Sequence, residues 1–118
     1  MNQETSDSFL LLCKAIYLEG VSPSNAKRLN NEKCIKLVGI AKSYFANNEY
    51  EAFTGFFYES QYFIALWAAH LILEEGSPDK GLAARCIKLI ENYTNNPLAP
   101  EVAKEETEWL AENREKYK

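Results

Sequence analysis

The chain nearly repeats itself, and that limits what it can fold into. Ser8–Pro23 and Tyr62–Pro78 share one plan. Each has an apolar run closed by a glutamate (Glu19, Glu75), then a glycine (Gly20, Gly76) and a Ser-Pro pair (Ser22-Pro23, Ser77-Pro78). The tetrapeptide Cys-Ile-Lys-Leu follows each time, at Cys34–Leu37 and Cys86–Leu89, and then an Asn-Asn pair, Asn47-Asn48 and Asn95-Asn96. A tetrapeptide can match by chance, but landmarks kept in order imply one helical unit used twice. Such units cannot bury their apolar faces alone and must stack. The expected fold is all-α: two stacked three-helix units, a right-handed HEAT/armadillo-like repeat. The units span about 7–60 and 61–116 of a single domain, 1–118.

Local signals place the helices. The first should run from Asp7 to Glu19, capped by Ser6 or Asp7 and stopped at Gly20. Ser22 and Pro23 suit a restart, serine as cap and proline at the first position, with a short helical stretch to Leu29. Asn30-Asn31 interrupts or caps, and a helix over Glu32–Ala46 follows with an apolar stripe of Cys34, Leu37, Val38, Ala41, Tyr44 and Phe45. Glu49–Ser60 reads as a short helix broken near Gly55, with a strand as the alternative. Gln61–Glu75 is apolar on both sides and should be packed on both. Ser77-Pro78 should open the next helix, to Tyr93, and a last helix should run from Pro100 to Lys116.

Charge and cysteines narrow the function classes. A net charge of −4 gives no basic surface for nucleic acid and leans toward a basic partner. The longest apolar runs, Phe9–Cys13 and Tyr62–Leu73, are too short to cross a membrane. The N-terminal segment has no basic region ahead of an apolar one, so a cytoplasmic protein is expected. The three cysteines show no metal-ligand spacing and read as small buried thiols. No cofactor or metal is expected.

Three features bear on chemistry. His70 is the single histidine, and acid–base, Ser/His or zinc chemistry would all depend on it. Its apolar helix favours a packed, hydrogen-bonded ring, and no catalytic residue is assigned. The last helix carries Glu101, Glu105, Glu108, Glu112 and Glu115 at spacings of four, three, four and three. Like charges on one face repel, which either a basic partner or plain solvation relieves. The third feature is Glu49–Ser60, where Tyr50, Phe53, Phe56, Phe57 and Tyr58 stand beside Glu49, Glu51 and Glu59. These rings either cap one end of the core or form a contact surface of aromatic anchors and steering carboxylates.

The text Ala65–Leu73, followed by Ser77-Pro78, the Cys86–Ile90 stripe and Trp109-Leu110, resembles small bacterial helical proteins of HEAT or armadillo-like type. Some such proteins are immunity proteins against contact-dependent or polymorphic toxins. The resemblance implies a non-enzymatic binding module that blocks a basic toxin domain. The candidate partner-binding residues are Glu49, Tyr50, Glu51, Tyr58 and Glu59, or the stripe Glu101, Glu105, Glu108 and Glu112. A helical scaffold that binds a peptide in a groove is the alternative, and a small enzyme using His70 is the third.

Overall fold

A computed structural model describes residues 3–117 of the chain. Six α-helices carry the fold: α1 (Gln3–Leu18), α2 (Glu32–Ala46), α3 (Tyr50–Phe53), α4 (Ile64–Glu75), α5 (Lys80–Tyr93) and α6 (Pro100–Asn113). Short 3-10 helices cover Ala26–Asn30, Thr54–Tyr58 and Arg114–Tyr117. No strand occurs among the described residues, so the protein is all-α and the segment after Glu49 is helical. No helix among them is long and apolar enough to cross a membrane. The radius of gyration is 13.2 Å, against about 13 Å for a compact chain of this size.

α4 is the centre. Every residue from Ile64 to Leu73 is buried. It packs on α5, α2, α1 and the 3-10 helix Thr54–Tyr58. α1 lies on α2, and α5 on α6. Beside α4, an aromatic cluster joins three segments: Phe9 stacks on Phe56 at 4.2 Å and meets Phe53 edge-on at 5.3 Å.

The two glycine stops work differently. Gly20 has φ +76. Its N–H bonds Tyr17 O (3.0 Å), and the next N–H, of Val21, bonds Ile16 O (3.2 Å). This paired closure needs a left-handed residue, which glycine adopts without Cβ strain. Gly76 instead has φ −102. A Cβ there would lie 2.8 Å from the Ile72 carbonyl oxygen and 3.1 Å from Tyr50, so close approach is what demands glycine.

The Ser-Pro pairs do not open helices. Ser22 and Pro23 are buried in the connection, and Asn25 caps the 3-10 helix Ala26–Asn30 by accepting from Lys27 N. The expected helical stretch from Pro23 thus starts later and is 3-10. Asp79, not Ser77, caps α5, with Oδ1 accepting from Leu82 N at 2.8 Å. A carboxylate at the positive end of a helix outcompetes a hydroxyl two residues earlier. Asn31 does cap α2, accepting from Lys33 N and Cys34 N. α1 begins a turn before expectation, so Ser6 and Asp7 lie inside it. α6 starts with Pro100 in its first turn as expected, but gives way to 3-10 geometry after Asn113.

α4 starts at Ile64 rather than Gln61 because Tyr62 and Phe63 are left-handed, with φ 53 and 57. Each costs about 1–2 kcal/mol relative to a right-handed residue. The turn is closed by Ile64 N to Gln61 O (3.0 Å) and Ala65 N to Glu59 O (3.3 Å).

Candidate functional site

Two polar assemblies stand out, one buried and one open. The buried one centres on His70, whose side chain is inaccessible. Its Nδ1 lies 2.9 Å from Glu74 Oε2, one turn along α4. Its Nε2 lies 2.6 Å from Glu106 Oε1, brought in by α6. Arg28 reaches Glu74 Oε1 at 2.8 Å and donates to the Pro23 carbonyl at 2.7 Å. Its guanidinium also sits 5.2 Å from the Trp67 ring centroid. The Trp109 ring meets His70 edge-on at 4.5 Å.

Burial disfavours a charged His70, yet hydrogen bonds to Glu106 and Glu74 and their charges outweigh it, holding the ring above the ordinary 6.5. Burial likewise pushes Glu74 up, but His70 and Arg28 reverse this and hold it below the ordinary 4.5. The assembly is an imidazole held between two glutamate side chains, one of which also pairs with a guanidinium. Glu106 Oε2 and Trp67 Nε1 are buried without a hydrogen-bond partner among the described residues. An unsatisfied buried polar atom costs about 1–3 kcal/mol, so this region stores cost inside the core.

Ser24 Oγ is 3.4 Å from His70 Nε2, and Glu74 holds the opposite nitrogen. Hydroxyl, imidazole and carboxylate thus stand in the order used for acyl transfer. Glu106 spoils the arrangement. At 2.6 Å its Oε1 holds the Nε2 that a serine would need to face, against 3.4 Å for Ser24 Oγ. A glutamate therefore already occupies each ring nitrogen, and Ser24 is the more distant neighbour of Nε2. His70 is therefore the packed, hydrogen-bonded ring that its helix predicts. The three cysteines are free and buried. Burial, opposed by Arg85, pushes the Cys86 thiol up to about 12, away from reactive thiolate character.

The open assembly is a cleft of about 700 Å³ between α3 and the α4–α5 turn. Glu49, Tyr50, Glu51 and Asp79 line it with Arg85. Tyr50 is half-buried. Its ring stacks on Phe45 at 4.8 Å and its hydroxyl accepts from Ser77 N at 2.8 Å, which fixes the cleft wall to the turn. The Arg85 guanidinium is 5.5 Å from the Phe57 ring centroid. Three carboxylates and one guanidinium in its lining give the cleft a negative balance.

The candidate residues therefore separate. The cleft gathers Glu49, Tyr50 and Glu51. Tyr58, 85% exposed, and exposed Glu59 follow Phe57 outside its lining. The five rings after Glu49 divide as well. Phe53 and Phe56 are core, Tyr50 and Phe57 are half-buried, and Tyr58 faces solvent. On α6, Glu101, Glu108 and Glu112 are exposed. Glu105 is half-buried and engaged, accepting from Ser22 Oγ and from Asn25 Nδ2 (2.8 Å). It ties α6 to the connection after α1 and is not simply part of an outward stripe.

The sequence reading passed over Glu106, Arg28 and Ser24. Glu106 had a signal: it shares one face of α6 with Val102 and Leu110, four residues either way. A lone glutamate on an apolar face calls for a buried cation, and His70 was the histidine at hand. Arg28 had none, because its role arises only from folding. The chain matches no protein-family model, no curated protein and no solved structure.

Proposed function

We propose that this chain is a non-enzymatic protein-binding module, an immunity protein that neutralises a bacterial toxin by covering its basic active site. The observation that carries the reading is the cleft in which Glu49, Glu51 and Asp79 converge beside the fixed ring of Tyr50. Convergent carboxylates steer lysines and arginines, and a rigid aromatic wall adds contact area at little entropic cost. The bound module then excludes substrate by volume and by matched charge. The occupied nitrogens of His70 favour a binding role over a catalytic one. The reading includes a right-handed HEAT/armadillo-like stacking of two units. The pairing of α1 with α2 and of α4 with α5 is consistent with that arrangement. A cytoplasmic location belongs to the same proposal.

The test uses the product of the adjoining reading frame as the partner, titrated by calorimetry at two salt concentrations. Changing Glu49, Glu51 and Glu59 together to lysine should weaken binding by about tenfold or more and flatten its salt dependence. A parallel variant changes Glu101, Glu108 and Glu112 and spares Glu105, which holds Ser22 and Asn25. If both variants bind as the parent does, the electrostatic mechanism is wrong.

A further inference from the structure

Exposed apolar side chains gather on the outer copy of the repeat. Among the described residues Leu11, Tyr17, Leu18, Leu29 and Ile35 are exposed, against Tyr58 and Leu98 in the rest of the chain. Leu11 also walls a groove of about 730 Å³ between α1 and α2, with Ser8, Leu12, Gly39 and Ile40 and with Lys36 at one end. Gly39 leaves the groove open, since a Cβ there would meet nothing within 4 Å. Charge on this side differs from the remainder. Residues 1–46 hold four acidic and six basic side chains, and residues 47–118 hold thirteen and seven. The acidic excess that would draw a basic partner, or repel a second copy, thus lies elsewhere. The solvent side of α1 has the spacing of a helix–helix seam. Glu4, Ser8, Leu11, Ala15 and Leu18 recur at intervals of four, three, four and three. Asp7 and Lys14, seven residues apart, share one flank of that seam, and both are exposed. Asp7 accepts from Gln3 Nε2 at 2.8 Å, and the Lys14 ammonium lies 5.8 Å from the Tyr62 ring centroid.

We propose that this face pairs with a second copy of the chain, α1 against α1 in antiparallel order about a two-fold axis. In an antiparallel pair of helices each flank meets the same flank of its partner. One register therefore sets Asp7 against Lys14 of the second copy and, by symmetry, Lys14 against its Asp7. The same register places Leu11 opposite Ser8 of the second copy, large against small, beside the open space at Gly39. It also lays Glu4 of the second copy over Ala15, toward the Lys36 end of the groove. A shift of one heptad either way would set Lys14 against Lys14 or Asp7 against Asp7, and both repel. Charge and volume thus select one register, and this chain's own α1 supplies every match. A seam of one helix is small, so the association is weak and reversible. The face shares no residue with the acidic cleft and does not depend on the reading given to it.

The test is sedimentation equilibrium of the full chain from about 10 to 500 µM, a range that brackets weak association. The average mass should rise with concentration toward twice that of one chain. Leu11→Glu, at a side chain 67% exposed, should weaken association by about tenfold or more while leaving the circular dichroism spectrum unchanged. Asp7→Lys alone and Lys14→Asp alone should each do the same, because the two-fold axis counts each change twice. Combining Asp7→Lys with Lys14→Asp restores opposite charges in the same register, so the double variant should associate within about threefold of the parent. The proposal is overturned if the chain stays monomeric throughout, or if Leu11→Glu associates as the parent does. It is equally overturned if the double variant associates no better than the single ones, which would place the contact on another face or in another orientation.

Discussion

Counted back from their glycines, the two repeated helices hold matching positions with opposite fates. Lys14 and His70 stand six residues before Gly20 and Gly76, and Leu11 and Trp67 stand nine before. In α1 the pair is exposed, Leu11 at 67%; in α4 both His70 and Trp67 are at 0%. The difference comes from neighbours. α1 lies mainly on α2, whereas α4 is enclosed by α5, α2, α1 and a 3-10 helix. A repeat transmits element type and register, but depth depends on what packs outside each copy. The outer copy stays apolar where Leu11 and Leu12 line a surface groove with Ile40. The inner copy hosts the ionic assembly.

The sharpest way to break this contrast is to truncate the matched positions. Trp67→Ala should cost about 3–5 kcal/mol, and His70→Ala about as much, because it strands buried Glu106 without a cation and leaves Glu74 to Arg28 alone. Leu11→Ala and Lys14→Ala should each stay within about 0.5 kcal/mol. Urea unfolding of the four variants measures this. Similar losses in both copies would mean that α1 is as enclosed as α4.

The glycines offer a smaller but cleaner test. Gly76→Ala should cost about 1–3 kcal/mol through overpacking against Ile72 and Tyr50. Gly20→Ala should cost about 1–2 kcal/mol through left-handed strain alone. Asparagine tolerates that conformation, so Gly20→Asn should recover most of the loss. Gly76→Asn should recover none, since its Cβ meets the same oxygen. Recovery at both positions, read from thermal midpoints, would show that the two stops are alike after all.

The gentlest probe is pH. His70, raised when folded, contributes stability that is full below about 6.5 and is lost as pH rises through its folded value. Glu74, lowered when folded, contributes stability that is full above about 4.5 and is lost as pH falls through its folded value. Thermal stability should therefore peak between these limits. Glu106→Gln keeps an acceptor at Nε2 but removes a charge, so the alkaline decline should move to lower pH. An unmoved decline would mean that groups outside α4 and α6 cause it.

Much of the fold was legible because its signals are local. The 3.6-residue stripe of α2, the Asn31 cap, the Gly20 stop and Pro100 at the start of α6 each act through neighbours a few residues away. What was hidden acts at long range. Ser22 and Ser77 looked like caps but serve Glu105 and Tyr50, contacts that exist only after folding. Tyr62 and Phe63 look like helix because neither is a glycine or asparagine that would announce the left-handed turn they adopt. Of the acidic cleft, Glu49, Tyr50 and Glu51 could be picked out by composition. Asp79 and Arg85 join them only because the α4–α5 turn comes to rest against Tyr50.

The edge-on meeting of Trp109 and His70 gives the molecule an intrinsic optical gauge. A protonated imidazole quenches a nearby excited indole, so emission should be dim while the ring keeps its proton. It should brighten when that proton leaves or when α6 lifts away from α4. Fluorescence can thus follow the charge at the molecule's centre without any attached dye.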